Sequence, residues 1–205
     1  NLMFYEPGLG HGLPHDPFKA IVAPRPIGWI GTKSKAGALN LAPYSFFNAV
    51  CDTPPMVMFS SSGIKDSVAF IEETGEFTAN LVSDGLKAQM NASSVEAPRG
   101  VSEFGYAGLT AAPCRLIAAP RVKEAHATLE CVAVEIRRVH DRQARPTENY
   151  MVIGEVVGVH IDESVLTGGL VDITKTKPVS RLGYMDYATT ENVYQMFRPK
   201  WEREG

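Results

Sequence analysis

The chain reads as mainly β, a Greek-key or split β-barrel with a few short flanking helices. Three observations predict that class. Strand-like segments outnumber helical ones by roughly two to one. None of the long helical crossovers that parallel strands need is evident. Near the start, two β-prone runs are joined by a tight turn, as in a hairpin.

Taken in order, residues 1–16 carry three glycines and two prolines and read as an irregular arm. A single domain then runs over 17–187, and 188–205 form a charged, polar tail. Phe18–Thr32 (FKAIVAPRPIGWIGT) is apolar and β-prone, but Pro24 and Pro26 break its ladder, so the strand belongs at an edge or bulge. KSKAG at 33–37 turns the chain, with Gly37 for a positive φ, and Ala38–Val50 returns as the partner strand. Thr53–Pro55 turns it again into the short strand Met56–Phe59. Lys65–Thr74 suits a helix closed by Gly75 as a left-handed cap. Phe77, Ala79 and Leu81 alternate with Thr78, Asn80 and Val82 as a strand does. Ser83 or Asp84 starts a second short helix, with Leu86 and Met90 one turn apart on its inner side.

The second half is more plainly β. Val132, Val134 and Ile136 alternate with Cys131, Ala133, Glu135 and Arg137. Met151–Ile161 is apolar on both faces, with Gly154 and Gly158 allowing close backbone approach. A strand of that kind needs a cover, either a helix or a second subunit. Ser164–Lys177 is loop-like, and VSRLGYMDY follows it.

Composition excludes several classes. At 205 residues the chain fills one core or one decorated barrel rather than two domains. A net charge of −3 offers no basic field for nucleic acid or an anionic membrane. Glu155 and His160 interrupt the best apolar run, so no segment spans a bilayer, and no leader opens the chain. Cytoplasm is the expected compartment. Cys51, Cys114 and Cys131 are odd in number and widely spaced, which disfavours disulfides and zinc knuckles and suits small buried hydrophobes. His126 and His140 have no partner at ligand spacing, and no metal site is assigned.

The chemistry concentrates in Asn40–Val68. Ser60, Ser61, Ser62, Gly63, Lys65 and Ser67 set hydroxyl donors and a cation ahead of a helix N-terminus, where a phosphate can be held. Close by in sequence, Ala42–Asn48 is a polar-aromatic strand able to lay backbone groups against a flat heterocycle. Pro43 frees neighbouring backbone groups, Ser45 and Asn48 offer side-chain hydrogen bonds, and Tyr44 can cover one ring face. Together these suggest a site for a phosphorylated aromatic cofactor. The same residues also read as a polar turn, an ordinary helix start and a barrel strand, with Phe46 and Phe47 structural. His160 is a candidate proton donor, an interface residue or a satisfied core histidine.

PRPIGWIGT, NLAPYSFFNAV, DTPPMVMFSS, KDS and ETGEF–NLV together resemble the flavin reductase-like family. Its members are FMN-binding split barrels related to the reductase components of two-component monooxygenases. MNASS at Met90–Ser94, VIGEVVGVHI and RLGYMDY extend the likeness over about Phe18 to Tyr187. It is most similar to the flavoredoxin-like subgroup, also described as reductase components of aminopolycarboxylate oxygenases. The resemblance implies a homodimer with one FMN per subunit near the interface. It implies hydride delivery from NADH or NADPH to FMN, with reduced flavin passing electrons on, in some cases to an oxygenase. Tight FMN retention as an electron carrier, or a non-catalytic flavin-binding module, is the alternative. Arg181 and, less so, Arg25 are candidates to pair with phosphate or an incoming nicotinamide nucleotide. Hydride transfer needs close, aligned donor and acceptor more than a proton relay, so no catalytic residue is assigned. The chain departs from many relatives at 183–184, where Gly183 is followed by Tyr184 rather than a second glycine.

Overall fold

A computed structural model describes residues 1–98 and 100–201. After the irregular arm comes one helical turn, α1 (Phe18–Ile21), and a two-residue strand, β1 (Arg25–Pro26). Then follow β2 (Gly28–Lys33), β3 (Leu39–Tyr44), β4 (Phe47–Asp52) and β5 (Pro55–Ser62). Helix α2 (Asp66–Thr74) leads to β6 (Glu76–Asn80), α3 (Lys87–Ala92) and α4 (Glu103–Tyr106). Two short strands, β7 (Ala111–Ala112) and β8 (Arg121–Val122), precede the long hairpin of β9 (Ala127–His140) and β10 (Pro146–Ile161). The chain ends with β11 (Leu166–Thr167), β12 (Leu170–Val171), α5 (Ile173–Thr176), β13 (Val179–Arg181) and β14 (Tyr187–Thr189).

Seven of these strands form one antiparallel sheet in the order β3-β2-β6-β9-β10-β5-β4. Its two edge strands, β3 and β4, are consecutive in the chain and joined only by Ser45 and Phe46. Laid flat, such a sheet would be about 29 Å wide at ~4.8 Å per strand step. A link of three Cα steps reaches about 10 Å at most. The sheet therefore curls until its edges meet at this corner, which makes it a split barrel. Phe47 pairs with Phe59 across β4–β5, and the Ser60 N–H donates to the Phe46 carbonyl at 2.8 Å, carrying the pairing into the corner.

Burial explains the closure. Tyr44, Phe59 and Phe77, from β3, β5 and β6, stack through the barrel with ring centroids 4.7 and 5.6 Å apart. Gly154 gives Phe77 its room, since a Cβ there would lie 2.4 Å from the ring. Gly28 does the same for Phe47 at the seam, again at 2.4 Å. Ile27, Trp29, Leu41, Met90 and Phe104 form a second core on the other side of β2, under α3 and α4.

Several expectations shift. Phe18–Thr32 is not one interrupted strand. It splits into α1, β1 and β2, because the prolines send β1 to a separate small sheet with β13 and β14. Ala38–Val50 is likewise two strands, broken at Ser45–Phe46. The strand buried on both faces is β2, whose residues from Gly28 to Thr32 are all inaccessible. Along β9–β10, Val132, Val134, Val157, Val159 and Ile161 remain at least a third exposed within the protomer. A bulge at Val134 breaks the alternation of β9 and returns Ile136 to the side of Cys131 and Ala133, against the core. The helix closed by Gly75 (φ 72°) forms as expected. Among the described residues, no helix is long and apolar enough to cross a membrane.

Candidate functional site

The corner that closes the barrel also borders two clefts of opposite character. Pro43 faces Trp29 in the β2–β3 register and has no N–H to give, so its backbone faces away from β2. Leu41, two residues earlier, points its backbone the same way. Its N–H donates to the buried Glu103 carboxylate at 3.1 Å.

The first cleft, of about 540 Å³, lies between the Phe18–Pro26 segment and the wall Ser45–Asn48, with Met58 and Ser60 at its base. Among the described residues its lining holds two cations, Lys19 and Arg25, and no carboxylate. The Asn48 Oδ1 accepts its neighbour's N–H at 2.8 Å, which leaves the amide NH₂ to donate outward. The Ser60 hydroxyl accepts from the Asn149 amide at 3.0 Å and keeps its own proton to give. Ser62, two residues on, shares that face of β5 and is exposed, so the hydroxyls form a short track leading out of the cleft.

The second cleft, of about 420 Å³, is lined by Ala42, Pro43, Tyr44, Lys65 and Ser67 together with the Ser93–Ala97 loop. Among the described residues, three carboxylates, Asp66, Glu96 and Glu103, share the lining with one lysine. Burial pushes the Glu103 pKa up, against the pull of its backbone hydrogen bonds. Burial likewise raises the Tyr44 phenol, despite the Ser67 and Ser61 hydroxyls beside it.

The residues picked from the sequence therefore divide. Ser45, Asn48 and Ser60 meet in the cationic cleft, with Ser62 on the track beyond. Ala42, Pro43, Tyr44, Lys65 and Ser67 line the acidic one. The serine-rich loop is corrected, because Ser60, Ser61 and Ser62 lie inside β5, paired with Met151, Tyr150 and Asn149. Only Gly63, Ile64 and Lys65 form the loop. Ser61 and Ser67 are fully buried and already occupied. Ser61 donates to the Gly63 carbonyl at 2.8 Å, and Ser67 accepts from the Asn40 amide at 2.8 Å. The start of α2 carries no side-chain cap, but Asp66 sits in its first turn and opposes an anion there. Arg181 lies apart, 4.3 Å from the Tyr187 ring, with one N–H on the Tyr184 carbonyl at 2.6 Å.

Sequence reasoning missed Lys19 and Met58, and it ranked Arg25 low. Nothing in the pattern shows that α1 folds back beside Ser45, because the turn depends on contacts remote in sequence. Ser93 of MNASS proves internal, accepting the Trp29 indole N–H at 2.9 Å. His160 pairs with the buried Glu130 carboxylate, which also accepts the Arg115 and Leu116 N–H groups at 2.8 Å each. Cys114 adjoins them, its thiol pushed up to about 12 by burial and the Glu130 charge. Glu130 ties these elements together through three accepted hydrogen bonds, so the cluster reads as a pin between β9, β10 and the 114–116 loop.

Comparison with known proteins gives a consistent outcome. Residues 22–179 match the model of the flavin reductase like domain. An uncharacterised protein of Aquifex aeolicus is 38% identical over 169 residues, covering 80% of this chain and 83% of that one. Nitrilotriacetate monooxygenase component B from Bacillus cereus superposes with a TM-score of 0.85 at 29% identity, covering 96% of this chain and 99% of its own. Flavoredoxin of Desulfovibrio vulgaris shares the fold at a TM-score of 0.72 and 23% identity, covering 88% and 92%. A domain match over most of the chain, on a barrel whose seam borders a carboxylate-free cationic cleft, settles the kinship: the protein is a member of the flavin reductase-like family.

Proposed function

We propose that the protein is an FMN-dependent oxidoreductase that accepts hydride from NADH or NADPH and passes the electrons on. The observation that carries this reading is the cationic cleft. It is concave, largely apolar and of cofactor size, with a few convergent donors and no opposing carboxylate. That donor set fits a phosphorylated flavin. Bound FMN would supply the hydride-accepting chemistry, and the chain's task is to hold and orient it.

In this reading Ser45 and the Asn48 amide donate to the polar edge of the ring, and Phe46 and Met58 exclude water from it. Ser60 and Ser62 donate along the chain to the phosphate, and Lys65, three residues past the end of β5 and bordering the acidic cleft, is the candidate cation for its outer side. Each charge-assisted bond contributes about 1.5–3 kcal/mol. Arg181 lies outside the cleft lining, paired in register with Arg25, and is the candidate to meet an incoming nicotinamide nucleotide. Among the described residues there is no separate dinucleotide-binding unit, so the nicotinamide would stack directly on the flavin.

The uncovered valines of β9–β10 support a homodimer, with the second copy covering Val132 and Val134. Val134→Asp is expected to convert the dimer to monomer by sedimentation, and an unchanged dimer would reject this face as the interface.

The test is a visible spectrum of the purified protein with added FMN, before and after anaerobic NADH or NADPH. Flavin binding followed by bleaching of the yellow band is expected. A colourless protein that neither quenches nor retains FMN would sink the reading. A yellow protein unreactive to both nicotinamides but reducible by dithionite would instead be an electron carrier.

A further inference from the structure

Arg25 is a buried cation with no counter-charge among the described residues. It is 7% exposed, and its guanidinium donates to the Lys19, Val22 and Leu182 carbonyls, all of them neutral. Its Nε is buried and bonds to nothing. Among the described residues it forms no ion pair, nor does Arg181, which stands directly opposite in the β1–β13 register. Like charges facing each other across an antiparallel pair destabilise it. Burial, then repulsion from Arg181, holds the Arg25 pKa below its ordinary value. The side chain lines the cationic cleft 5.8 Å from the Phe46 ring, with Lys19 on the same wall.

A buried, unneutralised cation against a ligand cleft favours whichever state of the ligand is more negative. When a nicotinamide gives up hydride, its C4–H bond breaks, an N5–H bond forms on the flavin, and both electrons go with it. No proton need follow, so the ring gains a negative charge over N1 and the C2 carbonyl. The oxidised ring has no such charge. We infer that Arg25, backed by Arg181, is the positioning cation that makes this cleft bind reduced, anionic FMN more tightly than oxidised FMN. The inference rests on the proposed FMN site and adds the redox selectivity of that site.

The test compares binding of oxidised and dithionite-reduced FMN by the full chain under anaerobic conditions. Wild type should prefer reduced FMN at least tenfold, which corresponds to about 30 mV for a two-electron couple. Arg25→Lys keeps the charge and should keep most of the preference, whereas Arg25→Gln should lose it. Sulfite gives a second readout, because its adduct at N5 places the same charge on the ring. Its affinity should fall about tenfold in Arg25→Gln. If Arg25→Gln binds oxidised FMN and both quantities stay at the wild-type values, the inference is overturned. If that variant does not fold, the more exposed Arg181→Gln takes its place, and a reduced-to-oxidised ratio within twofold of wild type overturns the inference. Wild-type protein that binds neither form of FMN would reject the cofactor site itself, a distinct outcome.

Discussion

The two clefts at the barrel seam are built from adjoining stretches of the same chain, yet one is cationic and the other acidic. Ser45–Asn48 faces Lys19 and Arg25, while Ala42–Tyr44 faces Asp66, Glu96 and Glu103. A change of three residues along the backbone reverses the local field. Hydrogen-bonding residues alone do not separate the two clefts, since both carry serines and an asparagine. The surrounding charge does, and it points an anionic cofactor to the first.

The sharpest way to break that contrast is to put a carboxylate on the hydroxyl track. Ser60→Asp should weaken FMN binding by about 10- to 100-fold, the loss of one charge-assisted bond plus repulsion. Glu96→Gln in the acidic cleft should change it less than twofold. Fluorescence titration of both variants checks the pair, and equal effects would erase the distinction between the clefts.

Tyr44→Phe sharpens the contrast from the other side. Its hydroxyl sits buried beside Ser61 and Ser67, so its loss should lower stability by about 1 kcal/mol in urea denaturation. FMN affinity should not move, because the group lies inside the barrel.

Glu103 gives a pH signature. Burial raises its folded pKa above the ordinary 4.5, so the folded state holds the proton more tightly than the unfolded chain does. Its contribution is fully present below that ordinary value and declines as pH rises through the elevated folded pKa. Glu103→Gln should flatten this part of the stability profile and keep an oxygen for the Leu41 N–H. A wild-type profile unchanged by the substitution would discount the carboxylate.

The smallest effect belongs to Tyr184, which holds a φ of +56°. Tyr184→Gly should raise stability by about 0.5 kcal/mol, relief of left-handed strain partly offset by chain entropy. It should leave FMN binding alone, since only the Tyr184 carbonyl meets Arg181. Thermal denaturation with and without FMN measures both.

Local chemistry was legible in the sequence. The α2 stop at Gly75, the hairpin around Gly37 and the strand character of β6 and β9 all follow from short-range rules. The break at Ser45–Phe46 was not, because a run of strand-forming residues gives no sign that its two halves lie at opposite edges of one sheet. Ser60–Ser62 misled for a related reason. Three serines resemble a loop, but pairing with β10 holds them extended. Ser45, Asn48 and Ser60 of the cleft lining were named as residue types, and the division of the serines into inner and outer faces needed the register. The Arg25–Arg181 pairing depends on residues 156 positions apart.

Ser45 and Phe46 serve at once as the seam of the barrel and as a wall of the cleft. Occupancy and closure are thus one equilibrium. A chain that has not brought the sheet's two edge strands together has no such cleft, and FMN bound there as proposed would act as a latch on the seam. Free FMN at a hundred times its dissociation constant would then add about 2.7 kcal/mol to the closed state. On the proposed reading, FMN supply would set the stability of the closed barrel as well as its activity.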